Sequence, residues 1–232
     1  MKLLMILVFL AATGNYASDG QGISPSRTTD RLLPLSRSDE TLRSIIEEKL
    51  LVTPANYGRM IHMYTGHEGS ESAVSVYCDE SAPIESTCHV TATRAMGSFE
   101  YVLSEFEGRD DLLDHLRNIS VERNDAEIPR SIATAFRSCL IGMMPADGDS
   151  PQIRTISDND RVEFWLVEPR AVPRSGERGE RPGKRIITLV QIGGLLRRYC
   201  DAAPQGRGAI AKKIEKEAAR LLVEKSKPNT KK

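Results

Sequence analysis

A chain of 232 residues and 25.7 kDa with 40% hydrophobic residues can bury one core or two small ones, and 5% aromatics make that core mostly aliphatic. Its 32 Lys+Arg cancel its 32 Asp+Glu, which excludes a globally basic nucleic-acid binder and a generally acidic disordered chain. A single long apolar run excludes a polytopic membrane protein.

That run, residues 3–12, follows Lys2. As a helix it rises only about 15 Å, half of a ~30 Å hydrocarbon core. It therefore reads as the core of a signal peptide over residues 1–17, cleaved after Ala17, with Gly14 as the alternative. The expected location is extracellular, or periplasmic in a bacterium. Residues 18–38, rich in Ser, Thr, Gly, Pro and Arg, read as a flexible leader. Residues 39–226 are expected to form a single α+β domain with an N-terminal helical extension, and 227–232 a basic tail.

Within the domain, Leu42, Ile45, Ile46 and Leu50 give an amphipathic helix that Pro54 stops. Residues 73–78 and a second run from Cys88 alternate with period two, so they read as a strand hairpin with a long loop. Helices are expected at DDLLDHLRNI and at PRSIATAFRSCLIGMM, the latter with Ile132, Ala133, Phe136, Cys139, Leu140 and Met143 on one stripe. Strands are expected at QIRTIS and RVEFWLVEP. A Gly/Pro/Arg loop, VPRSGERGERPGK, follows. KRIITLVQI reads as a strand, Gly193-Gly194 as a hairpin turn and LLRRYC as its return strand. A helix from Gly208 to Glu224 closes the domain. The expected fold is a mostly antiparallel sheet with packed helices, stapled by disulfides.

The four cysteines, Cys78, Cys88, Cys139 and Cys200, are an even set, which in an exported chain reads as two disulfides. Cys78 and Cys88 face each other at the hairpin neck, which leaves Cys139 for Cys200. Their spacings fit no common zinc pattern, and no metal or cofactor is expected. His62, His67 and Glu68 form the one His-rich stretch, whose residue types suit a metal or acid–base chemistry; a spacing of five and the glycines around His67 make them read instead as surface residues, with His67 in a loop. Asn118-Ile119-Ser120 is a glycosylation sequon, usable in a eukaryotic source. No G-x-S-x-G elbow, H-E-x-x-H site or complete Walker A is present.

Charge is unevenly spread. Residues 1–150 hold 13 Lys+Arg and 22 Asp+Glu, whereas 151–232 hold 19 and 10. Arg174, Arg178 and Arg181 in the loop, supported by Arg197 and Arg198, are the expected contact surface. Guanidinium forks suit an acidic or phosphate-bearing partner, RNA or a host protein.

The stretch from Glu163 to Cys200 resembles the catalytic half of secreted fungal guanine-specific ribonucleases, ribotoxins and the ribonuclease-like effectors related to them. Glu163-Phe164 stands for the family's Glu strand, Arg185-Ile186-Ile187 for its Arg strand, Gly193-Gly194 for its turn and Cys200 for its closing Cys. The resemblance implies Glu163 as base and Arg185 as phosphate-binding cation. No His follows His115, so the family's general acid is missing. The expected function is therefore a secreted binding protein, a microbial effector or host-interaction protein with an incomplete ribonuclease-like site. A ribonuclease using Glu163 and Arg185, or an extracellular or periplasmic structural module, is the alternative.

Overall fold

The computed structural model describes residues 40–51, 53–63, 70–83, 85–106, 108–144, 161–166, 174–177 and 183–224. The expected signal peptide, leader and tail, the QIRTIS segment, and His67, Glu68, Arg178 and Arg181 lie outside them. The elements run α1 (Glu40–Leu50), β1 (Gly58–Met63), β2 (Ser72–Tyr77), β3 (Thr87–Ala95), α2 (Phe99–Glu105), α3 (Leu112–Asn118), β4 (Val121–Pro129), α4 (Arg130–Met143), β5 (Arg161–Leu166), β6 (Arg174–Glu177), α5 (Lys184–Asp201) and α6 (Pro204–Glu224). The fold is α+β.

All pairings in the six-stranded sheet are antiparallel, in the order β4-β3-β2-β1-β5-β6. Strand side chains alternate between its faces, and each face is covered by helices. Met60, Val74, Val76, Val90, Ala92, Val162, Phe164 and Leu166 join the main core with Ile132, Phe136 and Leu140 of α4, Ile186, Leu189, Ile192 and Leu196 of α5, and Ile214 and Ala218 of α6. The residues between them, Ile61, Met63, Ala73, Ala95 and Trp165, pack with Ile45, Ile46 and Leu50 of α1, Phe99 of α2 and Leu116 of α3.

Several expected elements are in place. The α4 stripe read from the sequence is buried at all six positions. Cys78 and Cys88 form the disulfide, their Cα atoms 4.5 Å apart, one register step beyond the Tyr77–His89 pair. Asn56 holds the neck from the side, donating to the Cys78 carbonyl at 2.7 Å and accepting from its N–H at 2.9 Å.

The largest correction concerns KRIITLVQI, Gly193-Gly194 and LLRRYC. They form no strands and no turn; all of them lie in the single helix α5. Ile186, Leu189, Ile192, Leu196 and Cys200 recur every three or four residues and bury one stripe. The β-branched run at its start mimics a strand over nine residues, but the packing of all 18 overrides that local preference. Gly193 is where α5 crosses β1: a Cβ there would lie 2.2 Å from Met60 Sδ.

Four elements have no counterpart among the expected ones. β1 runs into the His-rich stretch, with His62 half-buried on it. β4 reads VERNDAEIP, an edge strand with only Ala126 and Ile128 buried. α2 is a two-turn helix capped by Ser98, whose Oγ accepts from the Tyr101 N–H at 3.1 Å. The expected Arg-rich loop also contains β6, which Arg174 opens opposite Leu166.

Candidate functional site

Glu163 and Arg185 do not form a site. Glu163 is buried on β5, with Trp165 Nε1 donating to its Oε2 at 3.1 Å. It shares the strand face of Trp165, which packs toward α1–α3. Arg185 sits in the first turn of α5, on the opposite face of the sheet. With α5 a helix, no strand pairing brings the two together, and the sheet stands between them.

Cys139 and Cys200 are not a disulfide either; both are buried free thiols. Cys139 on α4 lies against the α6 backbone, 3.9 Å from the Ala218 carbonyl, and within electrostatic reach of Arg185. Cys200 lies at the far end of α5, 3.5 Å from the Val90 carbonyl. Fifteen helical positions separate Arg185 from Cys200, about 22 Å of rise, whereas bridged Cα atoms must lie within about 7 Å. Burial pushes the Cys139 thiol up to about 11, partly offset by Arg185, and pushes Cys200 up to about 12, with Asp201 adding to the rise. Both stay protonated and unreactive near neutral pH.

A different constellation is assembled by α5 and α6. The helices are joined by Ala202 and Ala203, and Arg207 clamps the joint. Its Nε donates to the Ala202 carbonyl at 3.1 Å and its Nη2 to the Cys200 carbonyl at 3.5 Å. At the other end, Arg220 of α6 donates to Thr188 Oγ1 of α5 at 3.2 Å. The two helices therefore run antiparallel. Between them lies an open groove of about 430 Å³, lined by Gln191, Gly194, Leu195, Arg197 and Arg198 of α5 and Lys213, Lys216 and Glu217 of α6.

The helical period explains the lining. Gln191, Gly194, Leu195 and Arg198 fall at i, i+3, i+4 and i+7 of α5, and Lys213, Lys216 and Glu217 at i, i+3 and i+4 of α6. Among the described lining residues, four cations face one carboxylate, and that carboxylate is engaged: Glu217 Oε2 pairs with Arg220 Nη1 at 3.1 Å. Arg198, Lys213 and Lys216 are exposed. Arg197 is half-buried and steadied by Ser72, whose Oγ accepts from its Nη1 at 3.1 Å. Among the described residues that line the groove, none is aromatic.

No protein-family model, curated protein or solved structure matches this chain.

Of the expected contact residues, Arg197 and Arg198 thus reach one site, together with Lys213 and Lys216, which the sequence did not single out. The signal for the lysines is their spacing beside the apolar stripe of α6, but it acquires meaning only once α5 is a helix. Asn118 ends α3 with its side chain exposed. Among the described residues, no group of three His, Cys, Asp or Glu is placed to hold a metal, and no helix is long and apolar enough to cross a membrane.

Proposed function

We propose that this chain is an exported, disulfide-bonded binding protein of the effector or host-interaction type, which grips the phosphates of an RNA backbone in the α5–α6 groove. The observation that carries this reading is the convergence of Arg197, Arg198, Lys213 and Lys216 from two helices on one open groove. Phosphate is favoured over carboxylate because two forked guanidinium groups and two ammonium groups can grip several oxygens of one chain. The described lining of the groove offers cations for phosphates and no aromatic platform for bases, which favours recognition of the backbone independent of sequence.

Fluorescence anisotropy with a labelled RNA across a salt series tests this. Binding is expected to weaken as salt rises. A triple Arg198→Ala, Lys213→Ala, Lys216→Ala variant should bind weakly, with a salt slope shallower by about 2, at roughly 0.7 per lost phosphate contact. An acidic peptide that binds through the same residues while RNA does not would make the partner a protein. The RNA is expected to stay intact, and its cleavage would make the protein an enzyme. Export is tested separately: the secreted protein should begin at Ser18 or Asn15, not Met1.

A further inference from the structure

Helix α5 carries two adjacent glycines in its interior, and each weakens the helix relative to alanine. Neither is among the glycines with positive φ, so backbone conformation does not require them. Gly193 has a packing reason, since a Cβ would meet Met60 Sδ at 2.2 Å and Cε at 2.7 Å. Gly194 has none: a Cβ there meets nothing within 4 Å. The open space beside Gly194 is the basic groove. Gly194 lies one helical turn before Arg198 and across from Lys213 and Lys216.

We infer that Gly194 is the specificity-determining floor of that groove. Its bare backbone lets a phosphate chain sink between the α5 and α6 cations instead of resting on their tips. This rests on the function proposed above and adds a steric element to it. Cations alone would admit any anionic surface, whereas a recess in the helix admits a narrow, flexible backbone. A Cβ at position 194 would meet no described protein atom within 4 Å, and a longer side chain built on it would project into the path of the phosphates.

The test uses the full chain with Gly194→Ala and Gly194→Leu, the same labelled RNA, and thermal melts of each protein. Gly194→Ala is expected to raise Tm by about 2–4 °C, because it removes the helical glycine at an open position. Gly194→Leu is expected to melt no lower than wild type and to bind RNA roughly tenfold more weakly, although every cation is still present. RNA binding by Gly194→Leu equal to wild type would overturn the inference and leave the proposed function standing. A lower Tm for either variant would show that the position is not open and would overturn it as well. Wild-type protein that ignores RNA would overturn the proposed function and this inference together.

Discussion

The two faces of the sheet are held down by different physics. Beneath α4, α5 and α6 the strands present an almost wholly apolar surface, where Phe164 and Ile128 are fully buried against Phe136, Ile132 and Leu140 of α4, which are buried as completely. On the other face, under α1–α3, polar groups are interleaved with the apolar ones. Ser75 accepts from Arg59 Nε at 2.9 Å, Thr93 donates to the Leu50 carbonyl at 2.9 Å, and Thr91 donates to Asp125 at 2.5 Å. Glu71, fully buried beside this face, accepts from the Phe99 N–H at 2.9 Å and so ties down the start of α2. One face is fixed by close-packed shape and the other by directional bonds. Cavities should therefore dominate the cost of mutation on the first, and single hydrogen bonds on the second.

The largest effect should come from the first face. Phe136→Ala is expected to cost about 3–5 kcal/mol by urea denaturation, since it opens a cavity beneath Gly58. Opening the Cys78–Cys88 bridge with Cys88→Ser should cost about 3 kcal/mol in the chain-entropy picture. Cys139→Ser should leave disulfide content unchanged, because that thiol has no partner.

The buried thiols sharpen the contrast through pH. Cys139 and Cys200 are held protonated in the fold up to about 11 and 12, while in the unfolded chain they ionise near their ordinary value of 9.0. Above that value the unfolded state binds fewer protons, so stability should fall as pH rises. The slope is about 1.4 kcal/mol per pH unit for each thiol until its folded pKa is reached. Replacing Cys200 with alanine should flatten the loss between pH 9 and 11 relative to wild type. The smallest effect belongs to the second face: Thr93→Val removes one buried hydrogen bond and should cost about 1 kcal/mol. If it costs as much as Phe136→Ala, the distinction between the faces fails.

The same contrast explains what the sequence made legible. The α4 stripe was readable because its polar face is unambiguous and its period runs over four turns. The hairpin was readable from alternation and from two cysteines at its neck. Helix α5 was not, because it is buried along much of its length and starts with β-branched residues, so its first half carries no clear period. A packing glycine beside a groove glycine then imitated a turn. A strand hairpin at these residues has no such site, since Arg197 and Arg198 share a groove with Lys213 and Lys216 only across two antiparallel helices. β4 escaped for the opposite reason: as an edge strand it is charged at positions where a central strand would be apolar.

Strand β1 lies between β2, its successor in the chain, and β5, so that Met63 pairs with Arg161 nearly a hundred positions later. The meander from β1 to β4 needs only local closures, and α4 follows it directly. The β1–β5 seam has to await a long loop closure, whose entropy is lost before any pairing returns it. Until then one edge of β1 is open to other chains. The order of the sheet thus makes the β1–β5 seam, where the two C-terminal helices are delivered onto the core, the expected late step of folding.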